Sequence, residues 1–367
     1  MKITSIEIAR LNIPLTRPFI TALRSTNCVD DVVVIIHTSD GNRGYGSAAA
    51  TPAITGDTHE SIVSALQNTL APQLIGKNVA GLNTLLHLNE SALAKTTSAK
   101  AAIDMALHDL FAQYCGVPLY QLFGSNTNTV KTCITVSVKT VAEMVEEAIA
   151  LKKMGFQTLK IKLGKGAEED LKRIQAIRNA VGNDIELLAD ANQGWSYQEA
   201  VQISQQFERL NLHIKFIEQP VKAAALAELN SIQQQVHACI IADESCFSVN
   251  DALLIAKENI CNAVNIKLMK SGGLRNADAI YNIAKAASIK AMVGCMLESP
   301  IGIAAMASFA LSKQDLILAD LDAIFLIREN YVKGGAQLHG NSIHLPNKPG
   351  LGIEGFTNGF NLICEVT

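Results

Sequence analysis

The feature that most limits the fold of this chain is a regular alternation of short apolar segments with amphipathic helical segments, which begins near residue 130. Such an alternation is typical of parallel βαβ units. The apolar segments recur about every 24 to 30 residues, a spacing that favours a closed barrel over an open sheet. We therefore predict an α/β fold, a modified TIM (β/α)-barrel. Its eight strands are expected at residues 131–138, 157–162, 185–190, 214–218, 238–243, 262–267, 290–296 and 316–322.

The length of the chain indicates a second part beside the barrel. A barrel needs about 250 residues, and the chain has 367. Residues 1–50 alternate like antiparallel strands, and residues 58–114 show helical periodicity. We therefore predict three segments, which are an N-terminal α+β capping domain over residues 1–125, the barrel over residues 126–324, and a C-terminal segment over residues 325–367 that returns to the capping domain.

Charge and hydropathy exclude several classes of protein. The 31 lysines and arginines nearly balance the 34 aspartates and glutamates and are spread along the chain, so nucleic-acid binding is not expected. The most apolar stretch, residues 291–311, is interrupted from Glu298 to Pro300 and is too short for a membrane span. The eight cysteines form no Cys-x-x-Cys pair, which indicates reduced thiols. We expect a cytoplasmic protein that acts on a small molecule, and a homo-oligomer is left open.

Charged residues recur at the C-terminal ends of the predicted barrel strands. In a barrel, these ends form the face that carries the active site. A single charge at such a place is often part of a structural ion pair, but charges on six strands need a ligand or metal to offset their desolvation. The residues are Lys160, Lys162, Asp190, Glu218, Asp243, Lys267, Asp320 and Asp322.

Three of these carboxylates suit a metal ion. Asp190, Glu218 and Asp243 end strands three, four and five, which are neighbours in a barrel, so their side chains can converge. Carboxylate, water and substrate oxygens together are the ligands that Mg²⁺ prefers. Zinc is disfavoured because neither His nor Cys joins the set. The sequence therefore predicts one Mg²⁺ ion per subunit.

The lysines suit proton transfer at a carbon atom. Lys160 and Lys162 are two residues apart on one strand, so both face inward, and Lys267 ends the strand that lies opposite in a ring of eight. A substrate held on the metal would therefore have a lysine on each side. We expect Lys162 and Lys267 to be the two bases and Lys160 to offset the developing negative charge. The alternative is that these lysines only form salt bridges to the carboxylates.

The ordered motifs resemble those of the muconate-lactonising subgroup of the enolase superfamily. Lysine bases with Mg²⁺ are the known pattern of that superfamily. The segment from Ala101 to Gly124 also resembles the junction between its cap and its barrel. The resemblance implies an enolase-like fold. The motifs are Lys160-Ile161-Lys162, Asp190-Ala191-Asn192, Glu218-Gln219-Pro220, Asp243-Glu244-Ser245 and Asn265-Ile266-Lys267.

Within that subgroup, the chain resembles the dipeptide epimerases of the L-Ala-D/L-Glu type. Asp320 and Asp322 look like the pair that binds the free ammonium of the substrate, and their spacing places both carboxylates inward. Arg24 resembles the loop arginine that receives the side-chain carboxylate, although an ordinary surface arginine is the alternative. Thr135, Lys160 and Glu298 complete the expected substrate-binding set, and Glu298 is given no chemical step.

The expected function is two-base epimerisation of a dipeptide, from L-Ala-L-Glu to L-Ala-D-Glu, in cell-wall peptide metabolism. One lysine removes the α-proton of the second residue, and the opposite lysine returns a proton. The rivals on the same scaffold are o-succinylbenzoate synthase and muconate cycloisomerase, whose anionic substrates Asp320 and Asp322 would repel. A non-catalytic, metal-dependent small-molecule binding protein is a remote alternative, which bases on both faces disfavour.

Overall fold

The computed structural model describes residues 1–21 and 25–367. The chain begins with an antiparallel sheet in which the second strand pairs with both of its sequence neighbours. Residues of the hairpin alternate between the core and the outer face, as in Ile6 and Ile8 against Glu7. These strands are β1 (Ile3–Ile20), β2 (Ser25–Thr38) and β3 (Arg43–Ala49).

Helices that follow cover one face of this sheet. The predicted helical run over residues 58–114 is broken in the structure, because Pro72 begins a 3₁₀ turn and the Asn78 side chain caps another. The longest helix lies close against β3, where a Cβ atom at Gly46 would be 1.8 Å from the carbonyl oxygen of Ala102. The helices are α1 (His59–Ala65), α2 (Leu82–Ser91), α3 (Thr97–Cys115) and α4 (Leu119–Leu122).

The next segment forms a parallel barrel, which confirms the predicted fold class. Eight strands pair in chain order, from β5 to β12 below, and a hydrogen bond of 2.9 Å from Cys133 N–H to Ala319 O joins the first strand region to the last. The elements are β4 (Thr129–Lys131), β5 (Ile134–Val136), α5 (Val141–Lys153), β6 (Thr158–Lys162), α6 (Ala167–Val181), β7 (Glu186–Asp190), α7 (Tyr197–Arg209), β8 (Ile214–Glu218), α8 (Leu226–Gln233), β9 (Cys239–Ala242), α9 (Val249–Glu258), β10 (Ala263–Ile266), α10 (Leu268–Ser271), α11 (Leu274–Ala286), β11 (Lys290–Gly294), α12 (Pro300–Leu311), β12 (Leu316–Asp320) and α13 (Ala323–Leu326).

Local sequence explains several barrel helices. Capping boxes begin α5 at Thr140, α7 at Ser196 and α9 at Ser248, each with an acidic residue three positions later. Helix α12 is apolar on nearly all sides, with Ser308 as its polar residue, and accordingly every residue from Pro300 to Ala310 is buried. Among the described residues, no helix is both long enough and apolar enough to cross a bilayer.

The C-terminal strands join the two parts of the molecule. The third of them pairs with β4 beside the barrel through Ile343 and Val130, and the last pairs with β1 in the cap through Ile6 and Val366. The cap sheet therefore has four strands, with the C-terminal strand at one edge. The strands are β13 (Val332–Gly334), β14 (Gln337–His339), β15 (Ser342–His344), β16 (Ile353–Phe356) and β17 (Phe360–Val366).

Candidate active site

The charged residues at the strand ends meet at one end of the barrel. Lys162 is in register with Asp190 on β7, and Asp190 is in register with Glu218 on β8. Asp243 follows β9 directly, and Lys267 follows β10. All five residues are buried. The parallel register thus brings the predicted metal ligands and both predicted bases into one cluster.

Lys160 lies at the centre of this cluster. Its Nζ atom is 3.1 Å from Asp190 Oδ2, 2.8 Å from Glu218 Oε2 and 2.8 Å from Asp320 Oδ2. The side chain is only 1% exposed. Because three carboxylates surround it, the pKa of Lys160 is held well above its ordinary value although burial acts to lower it. Lys160 therefore behaves as a fixed positive charge.

The two predicted bases are each bound to a carboxylate. Lys162 Nζ is 2.6 Å from Asp190 Oδ2, and Lys267 Nζ is 2.6 Å from Asp243 Oδ2. The salt bridges that the sequence left open as an alternative are therefore present. They do not exclude catalysis, because both lysines also line the cavity described below.

Lys270 is a buried cation that the sequence analysis missed. Its Nζ atom is 2.6 Å from Asp243 Oδ1 and also donates hydrogen bonds to the carbonyl oxygens of Asp243 and Asn265, at 2.5 and 2.8 Å. It fixes the second oxygen of Asp243, whose first oxygen contacts Lys267. A second lysine three positions after Lys267, directly after the apolar residues Leu268 and Met269, was the available signal.

The cluster carries more negative than positive charge. Six carboxyl groups face four lysines, which leaves two negative charges if all of them are ionised. Burial, assisted by neighbouring carboxylates, raises the pKa of Glu218 to about 7, that of Glu244 to about 7 and that of Asp322 to about 6. The carboxyl groups are Asp190, Glu218, Asp243, Glu244, Asp320 and Asp322, and the lysines are Lys160, Lys162, Lys267 and Lys270.

This surplus fits a divalent cation, although the side chains are not arranged around one. Within residues 1–21 and 25–367, no three His, Cys, Asp or Glu side chains form a group that could hold a metal as they stand. The ammonium of Lys160 instead lies between Asp190 and Glu218. Neither oxygen of Glu244 accepts a hydrogen bond from any residue that the structure describes. Buried carboxylate oxygens without hydrogen-bond partners are suitable ligands for a hard divalent ion.

A cavity opens above the cluster. Its polar wall includes Lys162, Lys267, Asp320 and Asp322. Asp190 and Glu218 do not line it but contact Lys160, which does. Residues from both the cap and the barrel form the apolar wall. These apolar residues are Phe19, Ile54, Met296, Leu297 and Leu326.

The remaining predicted substrate-binding residues have different positions. Thr135 lines the cavity, and its backbone N–H donates a hydrogen bond of 2.7 Å to Asp322 Oδ2. Arg24 lies outside the described residues. Glu298 was expected to bind substrate, but it is not among the side chains that line the cavity. Its Oε1 atom accepts a hydrogen bond from Met296 N–H, and the carboxyl group is buried behind the wall.

Glu244 also differs from expectation. Strict alternation along a strand predicts that it points away from Asp243, but β9 ends at Ala242. The chain then turns, because Gln219 Oε1 accepts hydrogen bonds from the N–H groups of Asp243 and Ser245. This turn brings Glu244 into the cavity wall.

Two family models match most of the chain. Residues 3–124 match the model described as "Mandelate racemase / muconate lactonizing enzyme, N-terminal domain". Residues 143–355 match the model described as "Enolase C-terminal domain-like". The two matches correspond to the cap and to most of the barrel with part of the C-terminal segment.

Similar proteins include characterised epimerases. The L-Ala-D/L-Glu epimerase of Clostridium acetobutylicum is 42% identical over 98% of this chain and 100% of its own length. The substrate-liganded L-Ala-D/L-Glu epimerase from Bacillus subtilis is 43% identical, with a TM-score of 0.96 over 98% of this chain and 100% of that chain. The dipeptide epimerase from Enterococcus faecalis, complexed with Mg and L-Leu-L-Tyr, is 38% identical, with a TM-score of 0.93 over 96% and 99% of the two chains.

Proposed function

Because the chain belongs to the mandelate racemase / muconate lactonizing enzyme family, we propose that it is a dipeptide epimerase that inverts the α-carbon of the C-terminal residue. The observation that carries the proposal is a single cavity with Lys162 on β6, Lys267 after β10, and Asp320 and Asp322 at its wall. The epimerases named above share this architecture at 38 to 43% identity. The activity is that of an isomerase.

Asp190, Glu218 and Asp243 are the residues that would hold Mg²⁺. Bound there, the ion would supply Lewis-acid stabilisation to the substrate carboxylate. Asn265 supports this set, because its Nδ2 atom donates a hydrogen bond of 2.9 Å to Glu218 Oε1. Lys270 fixes Asp243 from the other side. Glu218 and Asp243 are thus each bound by a side chain other than the lysines Lys160, Lys162 and Lys267.

Lys162 and Lys267 would move the proton. Their strands are separated by three others in the sheet, so the two ammonium groups approach the cavity from different sides. One lysine, in its neutral form, removes the α-proton, and the other, in its charged form, returns a proton to the opposite face. Lys160, held charged by its carboxylates, offsets negative charge that develops on the substrate.

Asp320 and Asp322 would bind the free ammonium of the dipeptide. Asp322 is fixed by the Thr135 N–H group, and Asp320 is bound by Lys160 at 2.8 Å. Lys160 lowers the pKa of Asp320 against the effect of burial, so Asp320 stays ionised. The pocket therefore favours a substrate with a free amino group and disfavours the anions that the lyase rivals use.

The second side chain of the dipeptide has two candidate preferences. An acidic residue, as in L-Ala-L-Glu, requires Arg24 to reach the cavity, and this substrate matches the name L-Ala-D/L-Glu epimerase of the Clostridium and Bacillus relatives. An apolar residue is favoured by the wall of Phe19, Ile54 and Leu326. The Enterococcus relative is named a hydrophobic dipeptide epimerase. We propose L-Ala-L-Glu as the substrate, with an apolar dipeptide as the alternative.

We also propose that the protein works in the cytoplasm, in the metabolism of cell-wall peptides. All eight cysteines are free thiols, which suits a reducing compartment. The product of the proposed reaction, L-Ala-D-Glu, is a dipeptide with a D-residue. Fractionation of cells followed by detection of the chain in the soluble fraction would test the location.

Proton NMR of a dipeptide library in D₂O with Mg²⁺ tests the proposed function. We expect the α-proton signal of the second residue to disappear and the diastereomer to accumulate. N-acetylated dipeptides serve as the control and should react poorly. If no dipeptide exchanges its α-proton, or if only lyase substrates are converted, the proposal is wrong.

A further inference from the structure

Two buried carboxyl groups outside the cavity lie where the cap meets the barrel. Asp31 belongs to β2 of the cap and is 0% exposed, and Glu298 follows β11 of the barrel and is 1% exposed. Asp31 Oδ2 accepts a hydrogen bond of 2.8 Å from the N–H group of Ser299, the N-cap residue of α12. The proposed reaction uses neither carboxyl group. Their burial at this junction therefore needs a separate explanation.

Both carboxyl groups hold the loop that forms one wall of the cavity. Glu298 Oε1 accepts a hydrogen bond of 3.2 Å from Met296 N–H, and Met296 and Leu297 line the cavity. Asp31 holds the far end of the same loop through Ser299. The cap itself contributes Phe19 to the cavity. The pair thus connects the cap to the wall that the barrel supplies.

Each carboxyl group has one oxygen without a partner. Among residues 1–21 and 25–367, Asp31 Oδ1, Glu298 Oε2 and the nearby Ser47 Oγ take part in no hydrogen bond. Gly302 of α12 leaves room for two of these atoms, because a Cβ atom there would lie 2.5 Å from Glu298 Oε2 and 3.4 Å from Ser47 Oγ. Buried oxygens without partners are costly unless a proton or a water molecule satisfies them.

The charges around the pair favour a shared proton. Burial raises the pKa of Asp31 to about 6, although the hydrogen bonds of Ser299 act to lower it. Burial, assisted by the negative charge of Asp31, raises the pKa of Glu298 well above its ordinary value. The other charged groups are Asp30 and His59, which face Asp31, and Lys267, which faces Glu298.

We propose that Asp31 and Glu298 share one proton through a buried water molecule, and that this pair positions the cap against the loop of residues 295–299. The pair acts through Met296 and Leu297 on the shape of the cavity and touches no reacting atom. Its effect on catalysis rests on the proposed function. The expected consequence is that loss of the pair weakens substrate binding more than it slows the chemical step.

Steady-state kinetics of Glu298→Ala, Asp31→Ala and the double variant test the pair. Each single variant should raise KM roughly tenfold, which corresponds to about 1.4 kcal/mol, with kcat changed less than about threefold. The double variant should cost no more than one single variant, because both remove the same interaction. Asp57→Asn is the matched control. Asp57 is a buried cap carboxylate that accepts a hydrogen bond from Ser98 N–H, and the control should keep the wild-type KM.

Glu298→Gln separates the proton from the carboxyl shape. Its amide can donate the hydrogen bond that the protonated acid supplies, so its KM near pH 7 should lie much closer to wild type than that of Glu298→Ala. The pH profile should also differ. Wild-type KM should rise at alkaline pH as the shared proton is lost, whereas the KM of Glu298→Gln should rise less. Equal KM values in Glu298→Ala and wild type would contradict the proposed pair, and so would additive effects of the two substitutions on KM in the double variant.

Thermal unfolding across pH tests the shared proton without any substrate. The pKa of Glu298 is raised in the folded state, so its neutral form contributes stability at acidic pH that is lost as pH rises through the folded pKa. The unfolding temperature of wild type should therefore fall more with rising pH than that of Glu298→Gln. Parallel curves would contradict the shared proton. This result stands whether or not the wild type epimerises dipeptides, so failure of the proposed function is recognised separately.

Discussion

Buried charges in two regions of this molecule are satisfied in different ways. Asp109 belongs to α3 and lies where this helix meets β3 and the C-terminal segment. It accepts hydrogen bonds from Tyr45 N–H and Leu351 N–H, at 2.9 and 2.8 Å, and from the Gln113 side chain. In the cavity, neither oxygen of Glu244 accepts a hydrogen bond from any described residue. Backbone N–H groups stabilise the carboxylate of Asp109, whereas the carboxylate of Glu244 accepts no hydrogen bond from the described residues.

Buried charges that stabilise the fold therefore differ in their contacts from buried charges that take part in the proposed reaction. Arg178 resembles Asp109, because its guanidinium donates to the carbonyl oxygens of Leu212, Gly182 and Ile185. The cavity instead keeps a surplus of two negative charges if its groups are all ionised. Substitutions in the first set should therefore reduce stability, and those in the second set should reduce activity.

Loss of the metal should have the largest effect. Asp190→Asn or Asp243→Asn should lower kcat by about three orders of magnitude or more, because several kcal/mol of transition-state stabilisation is lost. EDTA should do the same to wild type, and added Mg²⁺ should restore it. Circular dichroism should show an intact fold in both variants. Normal turnover in EDTA would contradict the proposed metal ligands.

Loss of the ammonium pocket should have the next largest effect. Asp320→Asn and Asp322→Asn each remove one partner of a desolvated charge pair, which costs roughly 2 to 5 kcal/mol of binding. The Kd of a dipeptide, measured by calorimetry, should rise accordingly. N-acetylated dipeptides should be much less sensitive to either substitution. Equal turnover of acetylated and free dipeptides by wild type would show that the pocket is misassigned.

A substitution of Asp109 in α3 should reduce stability and leave activity largely unchanged. Asp109→Ala leaves two buried N–H groups without an acceptor and should lower the free energy of unfolding by about 1 to 3 kcal/mol. The kcat of the folded enzyme should stay near wild type. Chemical denaturation and kinetics on the same sample measure both quantities. A large loss of kcat without a loss of stability would remove the distinction between the two regions.

The smallest effect is expected at Arg24. If Arg24 reads an acidic side chain, Arg24→Ala should shift the ratio of kcat/KM for L-Ala-L-Glu over L-Ala-L-Leu by about 1 kcal/mol toward the apolar dipeptide. Salt and solvent weaken the attraction between a guanidinium and a carboxylate that are not fully buried, so only a small shift is expected. An unchanged ratio would favour an apolar substrate and the wall of Phe19, Ile54 and Leu326.

The sequence predicts the barrel well because the position of each strand follows from its apolar run. Lys162, Asp190 and Glu218 were placed together because parallel strands bring their C-terminal ends to one face. The sequence did not predict the orientation of residues beyond the strand ends. Glu244 turns into the cavity and Glu298 turns behind it, because backbone N–H groups in each loop determine their direction.

The prediction from sequence differed from the structure in two other places, for local reasons. The helical run of the cap is broken at Pro72 and Asn78, and these local signals were overlooked in favour of the overall periodicity. Lys270 was missed because it directly precedes the turn Ser271-Gly272-Gly273, where a lysine is usually exposed, and only its contact with Asp243 shows otherwise. The spacing and the order of the barrel strands can be predicted from the sequence. The direction of side chains in loops and the ion pairs between distant residues become known only from the three-dimensional structure.

Deuterium incorporation into separate L,L and L,D dipeptides by Lys162→Ala and Lys267→Ala tests the central claim most directly. With two bases on opposite faces, each variant should lose epimerisation but still exchange the α-proton of one diastereomer, and the two variants should exchange opposite ones. General acid–base catalysis predicts a fall of about 10²- to 10⁴-fold in the epimerisation rate. Full two-way epimerisation by either variant would contradict the account.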